Sequence, residues 1–293
     1  MTKFSEVRRI LIVILLLNWF VAFSKVIYGL ITKSAAMAAD GVHSFGDGAS
    51  NIIGLIGIWA ASKPKDEGHP YGHKKFETFA TLGIAGILFL AALDILREAS
   101  LRIFHPVVPD VTVFSFFLMA LTMGINLAVM KYEHRKGLNL SSDILVCDAL
   151  HTKSDLLASV AVVASLVSIK IGYPFLDTIV AGTIAVLIAK TGIEILKASS
   201  NVLCDANALA KSKIVNIVKE ISGVESVHNI RTRGREDDIH VDLHVIIDAK
   251  MNVEAAHNMS HTIETTLKHK IPGVTDVLVH VEPAKNKQEK LRR

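Results

Sequence analysis

The chain has 293 residues, 51% of them hydrophobic, a mean hydropathy of +0.41 and a formal net charge of +4. That is too apolar for an ordinary soluble protein, and a polytopic membrane protein is the first class to test. The charge is mild, and no nucleic-acid partner is expected. The two cysteines, Cys147 and Cys204, lack CxxC or CxxH spacing, so neither a disulfide framework nor a thiolate zinc site is suggested.

Lys3, Arg8 and Arg9 precede an apolar run from Ile10 to Ile31 that lacks a clear small-residue cleavage site, so it reads as a retained span rather than a signal peptide. Six segments are long enough to cross a bilayer core of about 30 Å. They are 10–31, 36–61, 78–101, 111–132, 143–170 and 176–198. The second and fifth are the least apolar, and the second is rich in glycine (Gly41, Gly46, Gly48, Gly54, Gly57), which permits close helix approach in lipid. Loop 62–77 carries Lys63, Lys65, Lys74 and Lys75, and loop 131–141 carries Lys131, Arg135 and Lys136. The opposite loops hold only Lys33 and Arg102. The positive-inside rule then puts both termini and the basic loops in the cytoplasm.

After Leu203 the character changes. Apolar residues at helical spacing predict a helix over 208–221, then strands over 224–232 and 239–247, a helix over 253–270 and a strand over 274–281. In the second strand Val241, Leu243 and Val245 share one face and His240, Asp242 and His244 the other. The order αββαβ suits a small ferredoxin-like α+β domain. The expected organisation is a six-helix transmembrane domain over 1–205, a cytoplasmic domain over 206–283 and a disordered basic tail over 284–293.

The polar residues inside the spans carry the chemistry. His43 and Asp47 are four apart in the second span, and His151 and Asp155 repeat the spacing in the fifth. Each pair lies on one helix face. A carboxylate at the centre of a spanning helix costs about 2.5–3.5 kcal/mol on insertion scales, so such residues usually face a bundle interior and mark an ion path. Two imidazoles and two carboxylates make a four-ligand set suited to tetrahedral zinc. Read alone, each pair is equally a local hydrogen bond that packs two helices. Asp40 and Asp148 lie about one turn away and are candidates for an outer ring or a proton path. In the first basic loop Asp66, His69 and His73 are spaced to converge on one cation, against the alternative of a solvated polar loop. Seven of the 13 histidines fall beyond Leu203: His228, His240, His244, His257, His261, His269 and His280. Glu282 follows His280 with period two, on the same strand face.

The motifs VHSFGDGASN, HPYGHKKFE, DALHTKSD and IRTRGREDDIHVDLHV resemble, in this order, those of the cation diffusion facilitator family of metal/proton antiporters. The resemblance covers nearly the whole chain. It implies a homodimer in the lipid bilayer with a cytoplasmic ferredoxin-like domain at the dimer contact, exchanging divalent cations for protons. It implies a transport site of His43, Asp47, His151 and Asp155, a loop site of Asp66, His69 and His73, and a cytoplasmic site of His228, His244, His257, His280 and Glu282. Glu282 stands where an Asp is common. Lys75 and Asp205 match a charge pair tying the two domains together. His43 as first ligand resembles the zinc-preferring arrangement, so Zn2+ is the expected cargo and regulator, with Fe2+, Cd2+, Co2+ or Mn2+ as alternatives. A prokaryotic inner membrane is the expected location. A membrane-anchored metal sensor or assembly scaffold without transport is the runner-up. An enzyme is not expected, because a metalloprotease would show HExxH or a comparable motif and none is present.

Overall fold

The computed structural model describes residues 3–31, 35–104, 113–171 and 175–284. The chain divides into two compact units, Met1–Ser199 and Ser200–Arg293. The first is built from six long helices: α1 (Lys3–Ile31), α2 (Ala35–Ala61), α3 (Lys75–Phe104), α4 (Val113–Asn139), α5 (Asp143–Ile171) and α6 (Phe175–Leu203). These match the six expected spans, extended by a turn or two where a polar end continues the helix. α4 runs seven residues past its expected end, to Asn139, through a segment whose charge reads as loop. Glu133 and Gly137 turn inward there while Lys131, His134 and Arg135 stay exposed, so the last turns are held by packing on α5. The basic tail expected from 284 lies, past Ala284, outside the described residues.

Two apolar clusters hold this unit. Leu11 and Ile14 of α1 meet Ile58 of α2, Val129 of α4 and Ile144 of α5. Ile84 and Leu88 of α3 meet Cys147 of α5 and Ile188 of α6. Large apolar side chains also face outward along the helices, among them Phe20, Leu30, Leu90, Leu93 and Val186. Such outward faces suit a lipid solvent rather than water. Three stretches, Lys3–Ser24, Lys75–Arg97 and Ile179–Leu203, are long and apolar enough by themselves to cross a bilayer.

The glycines of α2 set how closely it packs. A Cβ at Gly54 would lie 2.9 Å from Ile144 Cγ2, and one at Gly57 would overlap the Ala80 Cβ. A glycine within a helix costs roughly 0.5–1 kcal/mol relative to alanine, which close packing against α3 and α5 offsets. The start of α5 is fixed from outside its own chain segment. Ser142 Oγ donates to Glu77 Oε1 at 2.7 Å, and the Ile144 N–H points at the same oxygen at 3.4 Å. Glu77 is 1% exposed, so a buried carboxylate from α3 caps the positive end of α5. At the other side of the α4–α5 turn, Lys3 Nζ donates to the Ser141 carbonyl at 2.8 Å and Lys136 pairs with Glu6 at 2.8 Å.

The second unit follows the expected order: α7 (Lys211–Lys219), β1 (Val224–Arg235), β2 (Asp238–Ile247), α8 (Val253–Lys270) and β3 (Val274–Pro283). Its sheet has the order β1-β2-β3, with β1 antiparallel and β3 parallel to β2. Val241, Leu243 and Val245 point into the core with Ile214, Ile263 and Leu267, as the alternation predicts. His240 faces the other way yet is also buried, between Asp238 and Asp276. The helix expected from 208 begins later because the Ala208 and Leu209 N–H groups donate to Thr232 Oγ1, at 3.1 and 3.2 Å. Asn252 caps α8 by accepting from the Ala255 N–H at 2.8 Å, and Lys268, His269 and Lys270 complement its C-terminal end.

Gly57→Ala should lower the melting temperature of the full chain in detergent, corresponding to about 1–3 kcal/mol for over-packing a close contact. An unchanged melting temperature would mean α2 and α3 are free to separate at this level.

Candidate metal sites

The transmembrane candidate spans α2 and α5, which pack together. His43, Asp47 and Asp40 lie on α2, but their side chains lie outside the described residues. On α5 the His151 side chain is 5% exposed and its Nε2 is 3.8 Å from Asp155 Oδ2. This half of the expected set therefore shares one helix face, with His151 buried and Asp155 partly exposed. Asp148, one turn earlier, is 1% exposed and its Oδ2 accepts from Asn51 Nδ2. Asn51 Oδ1 in turn accepts from Asn18 Nδ2 at 3.2 Å. The sequence reading singled out neither asparagine. A lone amide in a span carries no spacing signal, and only its partner reveals its role.

The loop candidate is assembled. His69 Nδ1 is 3.2 Å from Asp66 Oδ1 and His73 Nε2 is 3.3 Å from Asp66 Oδ2. The turn is wound by backbone: the His69 N–H donates to Asp66 Oδ1 at 2.7 Å, and Gly72, at φ +92°, donates to the His69 carbonyl at 2.9 Å. That φ belongs to the left-handed region where glycine is favoured. The His69 N–H, then the two imidazoles, hold the Asp66 carboxyl below its ordinary range. One imidazole is anchored, His73 being 5% exposed and stacked on Phe76, while His69 is half exposed.

The cytoplasmic candidate is a row across the sheet. His228 of β1 pairs with His244 of β2, which pairs with His280 of β3. Strand pairing thus brings three histidines distant in sequence onto one outer face. His244 Nδ1 is 2.7 Å from Glu282 Oε1, His228 Nε2 is 3.5 Å from Glu282 Oε2, and His280 Nε2 is 3.9 Å from Glu282 Oε1. The hydrogen bond from His244 holds the Glu282 carboxyl below its ordinary range, aided by His228. Asn229, at φ +49° in a bulge of β1, lies 3.1 Å from His244 Nε2 and was not anticipated. With Asn229 donating to Nε2, the ring proton sits on Nδ1 and goes to Glu282. His257 is exposed on α8 and stands outside this group.

Among the described residues, Asp66–His69–His73 and His228–His244–Glu282 are the sets of three whose ligand atoms lie within 4.8 Å of one another. Two imidazoles and one carboxylate in each fit a borderline divalent ion. Of the expected interdomain charge pair, Lys75 opens α3 in the first unit, and Asp205 in the second lies 4.0 Å from Arg233 Nη1.

The cation efflux transmembrane domain model matches residues 11–204, and the cation efflux protein cytoplasmic domain model matches residues 207–284. The chain belongs to the cation diffusion facilitator family. As a cation diffusion facilitator it is a membrane-integral protein of a family that moves divalent metal cations, and its second unit is the family's dimerisation domain. It is 32% identical over 280 residues to an uncharacterised transporter of Methanocaldococcus jannaschii, covering 94% of this chain and 98% of that one. It is 30% identical over 264 residues to the manganese efflux system protein MneS of Bacillus subtilis, covering 90% and 91%. Among solved structures, the copper form of the MamM CTD matches at 25% identity and a TM-score of 0.25, covering 26% of this chain and 85% of that one.

Glu282→Ala should remove one binding step from a zinc titration of the full chain, or weaken it at least about tenfold. Affinity at that step should fall on acidification, because protons compete for the imidazoles while Glu282, held low, stays ionised. A pH-independent binding step would place the ion elsewhere.

Proposed function

We propose that this chain exports a divalent transition-metal cation, zinc by preference, in exchange for protons. The observation that carries the reading is the His151–Asp155 pair, its imidazole buried, on the helix that packs against α2, within a cation efflux transporter. His43 and Asp47 of α2 would complete a four-ligand site. Metal binding needs neutral imidazole and ionised carboxylate, so loading releases protons and protonation releases metal. Imidazole changes charge near neutral pH, which lets the exchange run under physiological conditions. Alternating access would rock helices about this fixed site.

The transport domain would extend to about residue 205 and the regulatory domain over 206–283. Ions at the sheet face, where His257 and His280 would add donors, would bias the homodimer toward one arrangement, a population shift. Lys75 and Asp205 would tie the two domains together. The basic loops would lie in the cytoplasm with both termini, in a prokaryotic inner membrane. Manganese is the second reading, favoured by two relatives that are manganese efflux proteins, MneS and MneP. The nitrogen donors at 43 and 151 favour zinc over manganese, which suits oxygen-rich sites.

In vesicles with an imposed pH gradient, Asp155→Ala or Asp47→Ala should abolish metal-dependent proton flux, and His43→Ala should shift the preference away from zinc. Flux retained in either Asp variant would sink the site assignment. Metal binding without flux in the unaltered chain would turn the reading to a sensor or scaffold.

A further inference from the structure

Glu133 of α4 has no part in the metal sites above, yet it is fully buried at 0% exposure. Its neighbour Asp148 of α5 is 1% exposed. One oxygen of each is satisfied by a neutral donor. Thr152 Oγ1 donates to Glu133 Oε2 at 3.3 Å, and Asn51 Nδ2 donates to Asp148 Oδ2. The other oxygens, Glu133 Oε1 and Asp148 Oδ1, have no donor among the described residues. The same Thr152 hydroxyl also lies 3.1 Å from the Asp148 backbone carbonyl, so one side chain ties Glu133 to the turn that bears Asp148.

Two ionised carboxylates cannot hydrogen-bond, since neither carries a donor. Away from water their repulsion is little screened, and a pair that shares a site keeps one proton between its members. The charged groups that act on Glu133 are Asp148 and Asp155, both acidic and both from α5. Among the described residues, α2 and α1 bring the neutral amides Asn51 and Asn18 to this network. Among the described residues no cationic side chain pairs with either carboxylate, which leaves a proton as the neutralising charge.

The position connects the pair to the metal. Asp148 precedes His151 by three residues, and Asn51 follows Asp47 by four. The Asn51–Asp148 contact therefore lies one turn from the four-ligand set on both helices, about 4.5–6 Å along each axis. We propose that Glu133 and Asp148 hold one proton between α4 and α5, and that this proton is exchanged against metal during transport. This rests on the antiport reading above. When a doubly charged ion enters one turn away, it compensates a second negative charge at the pair. The shared O–H bond then breaks and the proton passes to water on the side from which the metal came. It re-forms when the metal leaves and a proton returns. Asn51 and Thr152 are positioning residues that keep the unshared oxygens occupied.

Infrared spectroscopy of the full chain in lipid vesicles tests this without relying on transport. At neutral pH the unaltered protein should show a protonated-carboxyl band that disappears when zinc is added. E133Q and D148N should each remove the metal-sensitive band, and E133D should restore it. E133Q should still bind zinc stoichiometrically but expel one proton fewer per metal in flux measurements, with a flattened pH profile. No protonated band in the unaltered chain, a band that survives E133Q, or a band indifferent to zinc would each overturn the proposal. Failure of the antiport reading looks different: the unaltered chain would show no metal-coupled proton flux at all, and a band still responsive to zinc would then leave a proton site without transport and overturn only its role in exchange.

Discussion

The membrane unit depends on one requirement: a carboxylate inside an apolar bundle must be given a partner. Asp148 meets it through the amide of Asn51, which is itself held by Asn18, so three helices share one line of hydrogen bonds. That line exists only because α2 comes close. Its glycines let Ile144 and Ala80 sit against its backbone, at a distance that larger residues would forbid. Glu77 adds a second constraint by capping α5, so the helix bearing His151 and Asp155 is fixed at its start by α3 and along its length by α2. Packing and polarity are thus one problem here. The close contact makes the hydrogen bond possible, and the hydrogen bond makes the buried charge tolerable.

The second unit uses different physics for a related end. Water is available there, and the sheet needs no help to satisfy its outer face. Its pairing register places His228, His244 and His280 side by side, and the period of two along β3 adds Glu282. The bulge at Asn229 shifts the register of β1 after His228 and turns an amide toward His244. The inner face carries the core, so the donors are positioned by elements whose stability does not depend on them.

Much of this was legible in the sequence, for identifiable reasons. Apolar runs of bilayer length show themselves by counting, and the alternation in 239–247 shows its inner face directly. Asp66, His69 and His73 are close in sequence, so a turn can bring them together and their spacing says so. What was not legible depends on partners far along the chain. Glu133 sits in KYEHRK and reads as part of a solvated basic loop, until Thr152 and Asp148 of α5 arrive beside it. The late start of α7 is decided by Thr232, 24 residues beyond Ala208. His257 is exposed on α8, and its place with the other ligands rests on likeness in sequence alone.

The strand order has a consequence for how the chain is made. β3 is the last strand, and it supplies Glu282, the carboxylate on which His228 and His244 converge. A growing chain that has released only β1 and β2 holds two imidazoles without their acidic partner. Any ion held by these donors would therefore wait until β3 has been synthesised and paired. Because β3 follows all six helices of the first unit along the chain, such binding would come only after those helices have been made.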